Sequence, residues 1–313
     1  MSGSGVKLFA EGCLGTCWSG RYHYLEPWIG CEHNCHYCYA RFRNDVREAL
    51  AQRNTSFEKP VAFFDEDRLI AEIARTVKSG INIVKLSRYT DIFSPKFVEN
   101  GLSHKVLKVL VESPVARVII TTKGLPDEKI IELLSSCPEK FSYNLVAKPA
   151  SAVQFESKLA SLTARLEVAR RLKKAGLLVT VHMDPIVPGI EDDEALLHDF
   201  FDTLKAYELN RVMFSFLLLS SELMQYMRNQ DPSDCFRKII DTFELTDENQ
   251  VLPNQGDTHY NYTFLERRTE KANMIARMLS KKGFEFVFCS LKNRKKGEEL
   301  KVDCTICNGS FYA

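Results

Sequence analysis

The 313-residue sequence predicts an α/β fold of parallel βαβ units, curled into a barrel or laid out as an open doubly wound sheet. Three observations carry that reading. Short apolar, β-rich runs alternate with longer runs of helical period. Glycine and proline punctuate the junctions. The chain is long enough for one large α/β domain with small additions. A strand is predicted near Leu25–Ile29, then at Ile81–Leu86, Arg117–Thr122, Phe141–Ala147, Leu177–Met183 and Arg211–Leu217. Helices are predicted at Asp67–Lys78, Leu102–Glu112, Asp127–Leu134, Glu156–Ala175 and Asp192–Tyr207. Gly80 and Gly176 close helices, and Pro126 suits a first helical turn. After Leu218 the pattern loosens. Ser220–Arg228 reads as helix, Asp231–Asp257 as polar and mixed, Tyr262–Lys282 as a long amphipathic helix, and Phe284–Phe288 as a short strand ending at Cys289.

Composition narrows the function classes. Apolar residues make up 45% and charged residues 27%, the balance of an ordinary globular chain. No apolar run is long enough to span a bilayer, and none near Met1 forms a signal-peptide core. No membrane partner is expected. A net charge of +1 gives no global field that announces a nucleic acid. Ten cysteines without a secretion signal argue against a disulfide framework and for metal ligation in a reducing, cytoplasmic compartment.

Three of those cysteines, Cys31, Cys35 and Cys38, lie in one run with C-x3-C-x2-C spacing. Iron–sulfur clusters are held by cysteine thiolates, normally four for a [4Fe–4S] cube. Three adjacent thiolates hold three irons and leave the fourth open to an outside ligand. His33 and His36 share the run, so zinc stays an alternative, although zinc favours paired C-x2-C or Cys/His sets.

The run resembles the cluster loop of the radical S-adenosylmethionine (radical SAM) superfamily, and Tyr37 before the third cysteine fits that pattern. The resemblance extends to the spore photoproduct lyase-like branch. It is carried by Pro27-Trp-Ile-Gly-Cys31 through Cys38-Tyr-Ala-Arg41, by Thr90-Asp91, by Thr121-Thr122-Lys123, and by Asp184-Pro-Ile-Val-Pro-Gly-Ile190. It implies a partial (β/α)6 TIM-like barrel over residues 25–218, with cysteine-bearing extensions at residues 1–24 and 219–313. It also implies a [4Fe–4S] cluster whose open iron is chelated by SAM, and an electron donor such as flavodoxin or ferredoxin. SAM is then cleaved to methionine and a 5′-deoxyadenosyl radical. Sites on such barrels lie at the strand C-terminal ends. The resemblance offers Ser87 and Thr90 to the methionine carboxylate, Lys123 to a carboxylate, Asn144 to the ribose, and the turn from Asp184 to Ile190 to the adenine. His182 and Asp184 share one strand face by the period of two. Tyr37 and Tyr39 are radical relays or packing residues.

One departure matters. In spore photoproduct lyase proper a cysteine directly precedes the serine that aligns with Ser87. Here that position is Leu86, and Ile81–Asp91 has no cysteine. Thymine-dimer repair is therefore in doubt.

Five further cysteines stand near the two ends: Cys13 and Cys17 as C-x3-C, and Cys289, Cys304 and Cys307 as C-x14-C-x2-C. If the ends meet, they offer five thiolates to a site that needs four. An auxiliary [4Fe–4S] cluster, a structural zinc and ordinary thiols all fit. Cys137 and Cys235 read as ordinary small residues, and Lys292–Lys296 as a solvated basic loop. Trp18, Tyr22, Tyr24 and Trp28 crowd the approach to the cluster loop. The leading reading is an enzyme of lyase or oxidoreductase type that abstracts hydrogen from a small-molecule or peptide substrate. Nucleic-acid repair or modification is the alternative, less favoured by charge. A zinc-stabilised, non-catalytic interaction protein is the alternative of another class.

Overall fold

A computed structural model describes residues 5–12, 22–149, 155–156, 158–230, 234–245, 250–251, 259–289, 301–307 and 311. Cys13, Cys17, Trp18 and the run Lys292–Lys296 lie outside the described residues. The main sheet has eight strands: β1 (Phe9–Glu11), β2 (His23–Leu25), β3 (Ile83–Leu86), β4 (Arg117–Thr122), β5 (Phe141–Val146), β6 (Leu178–Ile186), β7 (Arg211–Phe216) and β8 (Glu285–Phe288). They stand side by side in chain order. β1 runs antiparallel to β2, and every later neighbour pairs in parallel. A doubly wound sheet reverses its strand order at a switch point. This order never reverses, so the crossovers wind one way and the sheet curls. Its two end strands do not pair, which makes it a partial barrel.

Crossover helices occupy Glu66–Thr76, Leu102–Val111, Glu128–Ser135, Leu162–Lys174 and Glu194–Ala206. Four of them start on a side-chain cap. Asp65, Asp127, Ser161 and Asp193 accept from the N–H groups of Arg68, Ile130, Ala164 and Leu196. The cap at Ser161 explains why the helix expected from Glu156 begins six residues later.

The register sorts the strand residues into two faces. Leu86, Ile120, Tyr143 and Val179 form one row, and Thr122, Leu145, Val181 and Val212 another on the same face. Apart from Thr122, these residues belong to the main core, packed with Leu69, Ile73, Leu107, Ile130, Leu166 and Phe201 of the helices. The alternate rows hold Ile119 and Ser142, then Thr121, Asn144 and Thr180, then Val146, His182 and Met213. None of these is in the helix-side core, so this polar face lines the barrel interior.

Two further boundaries differ from expectation. The first strand ends at Leu25, because Pro27 has no N–H for the ladder. Trp28–Ile29 instead forms a ribbon with Val61–Ala62. The helix expected from Tyr262 begins at Leu265, since Tyr262–Thr263 pairs with Phe243–Glu244. The last short strand joins the barrel sheet beside β7. The sequence pattern did not reveal the helix Asn44–Ala51 after the cysteine run or the short helix Pro95–Glu99.

Candidate active site

The cysteine loop leaves the sheet just past β2, on the side where the parallel strands end. Gly30 sets its entry. Its φ is +91°, and a Cβ there would lie 2.6 Å from the Phe57 carbonyl oxygen. The Cys31 N–H donates to that same oxygen at 2.7 Å, so only glycine fits before Cys31. The loop is tied to the end of β3 by the Thr90 hydroxyl, which donates to the Gly30 carbonyl at 2.5 Å. It is tied to the next helix by Glu32, which accepts from Ser94 Oγ and the Lys96 N–H, both at 2.8 Å.

The three thiols sit between two apolar clusters. Cys35 packs with Tyr37, Val187, Leu217, Leu223 and Met227, and Ile190 and Cys38 border that group. Cys31 and Cys38 border a second group that includes Ile29, Ala40, Val46 and Phe57. Burial pushes the Cys35 thiol up to about 12, against the pull of Lys123. Burial, with the Asp91 charge, pushes Cys31 up as well. A metal must therefore displace the protons, and loading is coupled to thiol deprotonation.

Asp91 organises the floor below this loop. Its carboxylate accepts from Phe93 N at 2.9 Å, Thr122 Oγ1 at 2.7 Å and Lys123 N at 2.7 Å, and it pairs with His33 Nε2 at 3.1 Å. Burial opposes its ionisation, but His33 and these donors hold it down at about 2. His33 is thereby engaged by a carboxylate. Glu26 has a similar role on the neighbouring strand, accepting from the backbone N–H groups of Arg88 and Tyr89. Burial raises it to about 8.

A second charged group lies by Cys35. The fully buried Lys148 ammonium is 3.1 Å from Glu191 Oε1, 3.7 Å from Glu156 Oε1 and 3.9 Å from the centre of the Tyr37 ring. Tyr37 donates its hydroxyl to Glu156. The Lys123 ammonium lies 5.5 Å from the centre of the same ring. Burial lowers Lys148 to about 8 and raises Glu156 to about 8, the latter with help from Glu191.

The structure brings Cys31, Cys35, Cys38, Tyr37, Lys123 and Ile190 to one rim. Asp184 lies on the same rim, accepting from Ser215 Oγ at 2.5 Å. The turn after it is shaped by Glu191 and Asp192, which accept from Val187 N at 2.9 Å and Gly189 N at 2.7 Å. Gly189 has φ +81° and no room for a Cβ against the Lys238 carbonyl. Ser87 Oγ, Thr121 Oγ1 and both polar atoms of the Asn144 amide are buried without a hydrogen-bond partner in the described structure. Buried polar atoms are normally satisfied, so these orphans fit a polar ligand in the barrel mouth.

Sequence reasoning assigned no role to Glu26, Asp91, Lys148, Glu156 or Glu191. Two signals were available. Lys148 continues the interior alternation Asn144, Val146, and Asp91 follows Thr90 within the quoted motif.

Cys289, Cys304 and Cys307 lie elsewhere, where the tail pairs with the end of β8, and Cys304 packs against the helix-side core. Among the described residues, no three His, Cys, Asp or Glu side chains converge closely enough to hold one metal ion. No helix among the described residues is long and apolar enough to cross a membrane.

Comparison with known proteins gives the same outline. The family model for the radical SAM superfamily matches residues 25–201. No curated protein matches the chain in sequence. Among solved structures, a point mutant of spore photoproduct lyase superposes with a TM-score of 0.61 at 16% identity, covering 84% of this chain and 75% of that one. A double mutant of the same enzyme, with AdoMet and dinucleoside spore photoproduct bound, gives 0.60 at 16% identity, covering 87% and 77%. At such identity the likeness is one of fold.

Proposed function

This chain belongs to the radical SAM superfamily, with a [4Fe–4S] cluster as its cofactor and SAM as its co-substrate, and from that premise we propose that it abstracts hydrogen from a small-molecule or peptide substrate. When bound, the cluster and SAM supply the reductive cleavage that yields methionine and the 5′-deoxyadenosyl radical. The observation that carries the reading is the meeting of three thiols with orphaned polar atoms at one barrel rim.

The chain's own residues divide the work. Cys31, Cys35 and Cys38 hold the cluster. Ser87 Oγ and the Asn144 amide, both lacking partners, bind the polar groups of SAM. Lys123, on the rim, meets a carboxylate. Thr90 acts through the loop, since its hydroxyl is spent on Gly30. Tyr37, held by Glu156 and Lys148, positions the third cysteine. Asp184, oriented by Ser215, and Ile190 border the site where the adenine would lie. Residues 25–218 carry this machinery, residues 1–24 and 219–313 flank it, and the thiols call for a reducing cytoplasm and an electron donor such as flavodoxin or ferredoxin.

The test is anaerobic reconstitution with iron and sulfide, then dithionite and SAM. Wild type is expected to form 5′-deoxyadenosine, and Cys35→Ala to form only background amounts. Zinc without iron in anaerobically purified protein, and no SAM cleavage, would sink the proposal. A second reading, nucleic-acid repair or modification, draws on the fold shared with spore photoproduct lyase, while Leu86 and the near-neutral charge weigh against it. Binding of a DNA or RNA oligonucleotide that weakens steeply with salt would favour it.

A further inference from the structure

We propose, on the reading that Cys31, Cys35 and Cys38 hold the cluster, that Lys148 is a fixed positive charge behind Cys35 and Tyr37 that makes the cluster easier to reduce. SAM cleavage needs one electron, passed to the cluster from a donor such as flavodoxin or ferredoxin. That electron adds negative charge to a site already bounded by three thiolates. Cys35 packs among Val187, Leu217, Leu223 and Met227, and apolar surroundings resist added charge. A buried cation offsets that resistance, because nearby charge, hydrogen bonds and exposure set the potential of such a cluster.

Three ties bring this cation to the cysteine loop. The His36 N–H donates to the Phe155 carbonyl at 3.0 Å. Phe155 packs in the same apolar group as Cys35 and Tyr37. Tyr37 donates its hydroxyl to Glu156. Lys148 continues the interior alternation of Asn144 and Val146, and its ammonium lies 3.9 Å from the centre of the Tyr37 ring. No part of its side chain meets solvent. It is closed to a substrate in the barrel mouth, and what it contributes is charge.

Two other cations stand with Lys148, and two carboxylates oppose it. The Lys123 ammonium lies 5.5 Å from the centre of the same ring. The buried Arg165 guanidinium donates to the Val146 carbonyl at 2.9 Å and the Ala160 carbonyl at 3.2 Å, and Cys35 is among the groups that act on its charge. Glu191 lies 3.1 Å and Glu156 3.7 Å from the Lys148 ammonium. Among the described residues, three cations thus face two carboxylates on this side of Cys35. Burial pushes the Cys35 thiol up, with Glu156 and Cys38 adding to it, while Lys123 and Lys148 pull it down. The same pull favours an electron added beside that sulfur.

The experiment is a redox titration followed by electron paramagnetic resonance, without SAM, on anaerobically reconstituted wild type, Lys148→Gln, Lys148→Met and Lys148→Arg. Gln leaves Glu191 a hydrogen-bond donor and Met keeps the apolar stem, so one is readable where the other fails to fold. At the wild-type midpoint, the ratio of reduced to oxidised cluster should fall about tenfold in Lys148→Gln and Lys148→Met, a downward shift of about 59 mV for one electron. Lys148→Arg should keep the wild-type potential. A mere clamp on Tyr37 would change iron content and thermal unfolding and leave the potential where it was. A full cluster of unchanged potential in Lys148→Gln or Lys148→Met would therefore overturn the inference and leave hydrogen abstraction standing. An equal fall in Lys148→Arg would overturn it too, since charge would not be the cause. Wild type that takes up no cluster would overturn both readings.

Discussion

The two faces of one sheet obey different rules. The rows that include Leu86, Ile120, Leu145 and Val181 are apolar and lie under the helices. The alternate rows, with Ser142, Thr121, Asn144, Thr180 and His182, are largely polar, and most of their residues are just as buried. A buried polar group without a partner costs about 1–3 kcal/mol. The interior face therefore carries a stability penalty that the helix face offsets. The lesson is a division of labour by alternate residues along the same strands. One set packs the core under the helices, and the other leaves buried polar atoms such as Thr121 Oγ1, Thr180 Oγ1 and the Asn144 amide without a partner in the described structure.

Four substitutions would break or sharpen this comparison, beginning with the largest effect. Leu145→Ala, on the helix face, should cost about 2–5 kcal/mol in denaturant unfolding. SAM cleavage per folded molecule should stay unchanged. A loss of cleavage at full stability would erase the distinction between faces.

Glu26 stands where the chain leaves the sheet for the cysteine loop. Its folded carboxyl is raised to about 8, while in the unfolded chain it ionises near 4.5. Its stabilisation is therefore complete below pH 4.5 and lost as pH rises to about 8. Glu26→Gln should flatten that decline, a difference on the order of 5 kcal/mol across the window. Parallel unfolding curves for the two proteins at several pH values would refute it.

Asn144→Ala, on the interior face, should weaken SAM binding by about tenfold, or about 1.4 kcal/mol, and shift stability by less than about 1 kcal/mol. Isothermal titration of the reconstituted protein reads the first, and thermal unfolding the second. Thr180→Val removes an orphaned hydroxyl from the same row. It should leave stability equal or raise it by up to about 1 kcal/mol. A clear destabilisation would mean that the hydroxyl has a partner in the resting protein.

Much of this architecture was legible in the sequence because it is written in local periods. The strands from β3 to β7 and their crossover helices fall where apolar period and capping residues put them. The cluster loop was legible because three thiolates in eight residues leave few other readings. What escaped was long-range. Glu156 was read as helix, and tertiary charge draws it instead to Lys148 and Tyr37. Glu26 looked like a strand residue, and the backbone of Arg88 and Tyr89 claims it from more than sixty residues away. The seventh parallel strand of the sheet, β8, was visible as a strand, but no local signal told which edge it would join.

The return of the tail along β8 has a consequence of another kind. A sheet that does not close leaves two rims of unsatisfied backbone, and such rims recruit strands from neighbouring molecules. Here the edge at one end is the short antiparallel Phe9–Glu11, and at the other the Thr305–Cys307 stretch pairs with Phe288 of β8. The tail is thus also a guard on solubility. A chain cut after Cys289 would bare the Phe288 end of β8, and its first failing would be self-association into larger particles.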